Sequence, residues 1–161
     1  MTASRIFDVA PDQALAVEHV GDLSVDLRAP YRIETPTGLR LTYPAKAGTM
    51  TGRITGTLLD GGGDWVVVGS DGVSRMDIRQ TIRTDDGALI HFAALGVVRL
   101  PADGRERVAR GERVAFTDSY IRSTPRLETD HDRYQWVNGQ VFVSIGEFSA
   151  GHIDHRIYRV L

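Results

Sequence analysis

The residues best suited to chemistry in this sequence stand two apart. In Val73–Thr84 the charged and polar Asp77, Arg79 and Thr81 alternate with Met76, Ile78 and Ile82, the two-residue period of a β-strand. One strand face therefore carries a carboxylate, a guanidinium and a hydroxyl. Turned into the lumen of a barrel, Arg79 would hold a substrate carboxylate or enolate through two parallel hydrogen bonds, and Asp77 would move a proton. Turned to water, the same residues form an ordinary charged sheet face with a structural ion pair. Tyr120, Arg122 and Thr124 share a face in the same way, so Arg122 is a second candidate anion donor. Its bland alternative is an edge strand ended by Pro125, with Arg122 paired to a carboxylate such as Glu128. Trp65, Tyr134 and Trp136 offer flat walls for a ligand pocket, although aromatic residues fill cores and interfaces as readily. His91 is a polar intruder in the apolar run Leu89–Leu100, whose other polar residue, Arg99, stands near its end. Across a tight hairpin at Asp85-Asp86-Gly87 it would face Gln80 or Thr81, where it could act as a general base.

Other chemistries have little support. With no Cys there is no thiolate nucleophile, disulfide or cysteine metal site. Lys46 is the only lysine beside 18 Arg, so Schiff-base chemistry would rest on that residue. In His152-Ile153-Asp154-His155, alternation puts His152 and Asp154 on one face and His155 on the other, one ligand short of a metal site. Gly61-Gly62-Gly63 lacks the Lys-Ser/Thr of a phosphate loop and leads into a strand. There is no Gly-x-Ser-x-Gly elbow and no dinucleotide fingerprint after a strand. We expect neither a cofactor nor a metal.

The elements that must position these residues are strands. Leu23, Val25 and Leu27 alternate with polar residues, as do Leu39, Leu41 and Tyr43, and later Val141, Val143 and Ile145 read as alternating. Tyr134 and Trp136 also read as alternating with Gln135. Asp71-Gly72, Asp85-Asp86-Gly87 and Asn138-Gly139 are turn signals, and the Thr-rich stretch with Gly52 and Gly56 suggests tight curvature. Pro101–Arg110 reads as a loop with room for one helical turn. Val114–Phe116 and Tyr120–Thr124 read as one strand or two. No stretch of ten or more residues keeps a helical period. The expectation is all-β: residues 1–13 as an N-terminal arm, and 14–161 as one antiparallel barrel domain of eight to ten strands, with a sandwich as the alternative.

Composition fits that reading. A chain of 161 residues, 42% hydrophobic and 25% charged, is long enough to bury roughly 68–70% of its unfolded surface without a staple. The net charge of −2 gives no field for a polyanion, and the eight Arg between Arg99 and Arg133 are nearly cancelled by interspersed acids. No nucleic-acid or membrane partner is expected. The first residues lack an apolar leader, and no apolar run approaches ~20 residues, so a cytoplasmic setting is the default.

Several spaced motifs occur in a fixed order: Gly52-x-x-x-Gly56; Gly61-Gly62-x-Asp64-Trp65; Asp71-Gly72 with Asp77-x-Arg79; and Thr84-Asp85-Asp86-Gly87-Ala88-x-Ile90. Then come Tyr120-x-Arg122-x-Thr124-Pro125-x-Leu127-Glu128-Thr129 and Tyr134-x-Trp136-x-Asn138. From about Leu23 to the C-terminus the chain thereby resembles the DUF3237 family, also called UPF0311, of small β-barrel proteins whose activity is generally unassigned. It departs at Val137, where the family commonly has Leu, and at Gln80, where an aromatic residue is common. The resemblance implies a barrel and an oligomer, but no established reaction.

Three functions follow as expectations. The first is an enzyme of the lyase, isomerase or cyclase kind acting on a small acidic or carbonyl compound. Arg79 and Arg122 would hold its anion, Asp77 or His91 would move the proton, and Thr81, Trp65, Tyr120, Tyr134 and Trp136 would line the site. The second is a noncatalytic carrier or sensor of a small hydrophobic acid. The third is a structural homo-oligomer with a filled barrel.

Overall fold

The computed structural model describes residues 14–161; the arm expected over 1–13 lies outside the described residues. Ten strands are present: β1 (Val17–Leu27), β2 (Tyr31–Thr35), β3 (Gly38–Gly52), β4 (Gly56–Leu58), β5 (Gly63–Val68), β6 (Ser74–Thr84), β7 (Leu89–Arg99), β8 (Tyr120–Glu128), β9 (Phe142–Ser149) and β10 (His152–Val160). All pairings between them are antiparallel. The circuit β1–β10–β9–β8–β7–β6–β5–β3 returns to β1 and closes an eight-strand barrel. The short β4 fills the rest of the gap between β3 and β6, and β2 lies outside the circuit, paired to β3.

Closure requires sharp bends, and glycine supplies them. Gly52 sits at φ +118°, where a Cβ would stand 2.6 Å from the carbonyl oxygen of Val20, and a Cβ on Gly56 would stand 2.3 Å from that of Arg83. The expected turns at Asp71-Gly72 and Asp85-Asp86-Gly87 are formed, with Gly72 and Gly87 at positive φ.

The two ends of the barrel differ. Toward the turn after β6, Met50, Ile54, Ile82, Ile90, Phe92 and Phe142 fill the interior completely. A 3₁₀ helix, Asp132–Val137, seals that end. Tyr134 and Trp136 therefore lie on a helical turn, not on the strand their alternation suggested; three residues are too few to separate the two periods. At the other end the expected helical turn is α1 (Gly104–Ala109), whose Arg105 and Val108 reach the lumen. Of the segment before β8, Val114 makes only an isolated bridge to Phe148.

Candidate active site in the barrel lumen

Alternation along β6 decides which residues meet in the lumen. Ser74, Met76, Ile78 and Gln80 point inward, so Asp77, Arg79 and Thr81 point outward. Leu23 and Val25 of β1, Val66 of β5, Ile121 of β8 and Ile153 of β10 complete a mainly apolar wall. Together with α1 they enclose a cavity of about 230 Å³. Its polar side chains are Asp64, Tyr43, Gln80, His155 and Ser74, with Arg105 at the mouth.

Asp64 occupies a break in the sheet. Between β5 and β6 the ladder runs through Gly63–Arg79 and Asp64–Ile78, and resumes only at Val67–Arg75. The N–H of Asp77, left free by that gap, donates to Asp64 Oδ1 at 3.0 Å. The other carboxyl oxygen has no hydrogen-bond partner among the described residues. Burial is the main influence on this carboxyl; it outweighs the stabilising Asp77 N–H, and the Asp77 charge adds to it, pushing the pKa up to about 7.

Tyr43 of β3 lies directly opposite Asp64. Burial raises its phenol pKa and the Asp64 charge raises it further, while Arg105 and Arg32 pull the other way. His155 of β10 is wholly buried, which pushes its imidazole down to about 4 and keeps it neutral. Its Nδ1 lies 3.5 Å from Ser144 Oγ, which in turn is 2.6 Å from Ser123 Oγ. Nε2 of His155 and Oε1 of Gln80 are buried without a hydrogen-bond partner.

None of the residues singled out for the site by sequence lines this cavity. Asp77 and Arg79 form an ion pair on the outer face, Nη2 to Oδ2 3.1 Å, with side chains 39% and 65% exposed. The Arg79 guanidinium lies 6.0 Å from the ring centre of the exposed Trp65. His91 does pair with Thr81 across the β6–β7 hairpin, but on the exposed outer face. Arg122 stacks on Tyr120, 4.9 Å from its ring centre, and donates to the carbonyl of Ile121. Glu128 is paired instead with Arg126. At the sealed end, Tyr134 donates its hydroxyl to Asp86 Oδ1 at 3.0 Å, and Trp136 packs on Phe142 beneath Arg53.

Tyr134 and Trp136 miss the cavity because they lie on the 3₁₀ helix at the sealed end. For the charged residues of β6 the physical reason is desolvation: a narrow barrel excludes water from its interior, so the apolar phase of that strand goes inward and its charged phase outward. Asp64, which stands out in the sequence only as part of Gly61-Gly62-x-Asp64-Trp65, is the exception, because the ladder break gives its carboxylate a partner. Among the described residues no group of three or more His, Cys, Asp or Glu is placed to hold a metal ion, and no helix is long and apolar enough to cross a membrane.

Comparison with known proteins places this architecture. The family model described as "Protein of unknown function (DUF3237)" matches residues 15–160. A UPF0311 protein of Clostridium acetobutylicum is 28% identical over 156 residues, covering 95% of this chain and 99% of its own. The solved structure of a conserved protein of unknown function from Rhodopseudomonas palustris superposes with a TM-score of 0.86 at 26% identity, over 92% of this chain and 99% of that one. A beta-barrel like protein from Acinetobacter baumannii superposes at 0.79 with 28% identity, over 92% and 98%. An enzyme from Penicillium herquei shares the fold at a TM-score of 0.68 with 15% identity, over 95% and 99%. With its closed barrel, and with a family match running from the start of β1 to the end of β10, this chain belongs to the DUF3237 family, the UPF0311 proteins.

Proposed function

We propose that the barrel lumen binds a small, largely apolar carbonyl compound or acid and carries out a proton-transfer reaction on it, of the lyase, isomerase or cyclase kind, with Asp64 moving the proton. The observation that carries this reading is the Asp64 carboxyl itself. One oxygen is anchored on a backbone N–H, and the other is unpartnered at the wall of an apolar cavity. A carboxyl with a pKa near 7 exchanges its proton readily at neutral pH. The Tyr43 phenol opposite stays protonated and can donate to oxygen that gains negative charge as a C–H bond breaks. Arg105 at the mouth suits an anionic substituent left near solvent. The Penicillium herquei enzyme supports the reading only as a fold-level precedent that such a barrel can host an activity. The proposal keeps the cytoplasmic setting expected from sequence.

The apolar wall equally suits a carrier, so the test must separate binding from proton transfer. Small cyclic ketones and keto acids are incubated in D₂O with the wild type and with Asp64→Asn, and loss of α-C–H signal is followed by NMR. The enzyme reading expects enhanced exchange for at least one compound, falling by about 10²-fold or more in the variant. Equal binding by both proteins with no enhanced exchange supports the carrier. Neither binding nor exchange with any compound contradicts both readings.

A further inference from the structure

Strand β2 leaves one edge open. Among the described residues it pairs only with β3, whereas β1, which precedes it along the same side of β3, is covered by β10 as far as the Asp26–His152 pair. The hairpin fixes which backbone groups face outward. Thr35 and Gly38 close a two-residue turn, and the residues of such a closing pair exchange both hydrogen bonds. Thr35, Ile33 and Tyr31 therefore direct their N–H and C=O groups to β3, and Arg32 and Glu34 present theirs to the open edge. Tyr31 and Ile33 are 69% and 55% exposed, while Arg32 and Glu34 form an exposed ion pair at 2.6 Å.

We infer that this edge docks a second copy of the chain, β2 against β2, antiparallel about a two-fold axis at Ile33. In that register Arg32 stands opposite Glu34 of the partner subunit, and Glu34 stands opposite Arg32 of the partner subunit. These are the residues whose backbone groups are free, so four inter-strand hydrogen bonds form. Ile33 then meets its own counterpart at the closer, non-hydrogen-bonded spacing. The alternatives fail on charge or on hydrogen bonding. The other antiparallel registers that use the free groups centre on Arg32 or on Glu34 and set like charges face to face, as does a parallel in-register pair. A one-residue slip faces the free groups with residues already committed to β3. An open strand edge is a ready template for such pairing, and an isologous contact satisfies both copies at once. The edge is short, below the ~1,000 Å² of a stable interface, so the dimer is reversible.

The test is sedimentation velocity of the full chain between about 1 µM and 1 mM, on the wild type, Arg32→Glu, Glu34→Arg and the double swap, with hydrogen exchange at the Arg32 and Glu34 amides. The expected result is a concentration-dependent dimer, weakened roughly tenfold or more by each single reversal and restored to within about threefold by the swap. The two amides slow as the dimer forms. A monomer at every concentration overturns the inference, as does a dimer indifferent to both reversals. Protection of these amides in the monomer also overturns it, because another segment, such as residues 1–13, would then occupy the edge.

Discussion

Tyr43 and Asp64 stand directly opposite each other on adjacent strands, both lining the lumen, and the charge of the one raises the phenol pKa of the other. A carboxyl that accepts a proton and a phenol that donates one are thereby held at one wall of an apolar cavity. Tyr43→Phe should leave ligand affinity within a few-fold, because only a hydroxyl is lost from the wall. It should lower α-proton exchange by roughly ten- to a hundredfold, since the donor to the developing oxyanion is gone. Parallel binding and exchange measurements check this. An equal fall in both would make the hydroxyl a binding group only.

Asp64 and His155 tilt the pH dependence of stability in opposite directions. Asp64 has its pKa raised from 3.8 to about 7. Its contribution is fully present below pH 3.8 and is lost as pH rises through about 7, an effect on the order of 4 kcal/mol. His155 has its pKa lowered from 6.5 to about 4, so its contribution is present above pH 6.5 and is lost as pH falls toward 4, on the order of 3 kcal/mol. Between pH 4 and 6.5 the two oppose each other. Denaturant titrations should show Asp64→Asn gaining stability as pH rises across this window and His155→Gln losing it, with the wild type between them. Parallel curves for all three proteins would contradict the burial of both groups.

The outer-face arginines should matter little. Arg79 pairs with Asp77 and lies near Trp65, Arg122 stacks on Tyr120, and neither reaches the cavity. Arg79→Ala and Arg122→Ala should each shift unfolding free energy by no more than about 1 kcal/mol and leave lumen occupancy unchanged. Native mass spectrometry with a ligand identified by the exchange screen provides the check. Loss of ligand from either variant would return the binding site to the outer face.

The sealed end should respond in the opposite sense. Phe92→Ala empties a fully packed position and should cost about 3–5 kcal/mol. Tyr134→Phe removes the bond to Asp86 and should cost about 1–2 kcal/mol. Neither change lies at the cavity, so ligand affinity of the folded fraction should hold. Calorimetry and ligand titration together separate the two effects.

Most strand phases were legible in sequence, but on β9 Phe142, Ser144 and Gly146 turn inward and the expected Val141, Val143 and Ile145 do not, and on β6 the charged candidates did not settle which phase faced the lumen. Met76, Ile78 and Ile82 mark one side of β6 from the sequence alone, and they do point inward. The attraction of Asp77 and Arg79 as chemical groups argued for the opposite phase, and desolvation decides against it. A guanidinium and a carboxylate keep more solvation on the outer face than a narrow apolar lumen can replace. Asp64 was visible beside Trp65, and since neighbours on a strand alternate, one of the two had to face in. What the sequence lacks is the ladder break between β5 and β6, a long-range feature that gives the buried carboxylate an N–H. The helical turn carrying Tyr134 and Trp136 was hidden for a different reason. Two aromatics two apart fit a strand, and only packing against Asp86 and Phe142 selects the turn.

Titration of the Asp64 carboxyl near neutrality is the expected property on which the proposed chemistry rests. Its most direct test is ¹³C NMR of the protein labelled at Asp side-chain carboxyls, with the Asp64 signal assigned by its absence in Asp64→Asn. A midpoint near pH 7 is predicted. A midpoint near 4, the range of an ordinary solvated aspartate, would contradict the account.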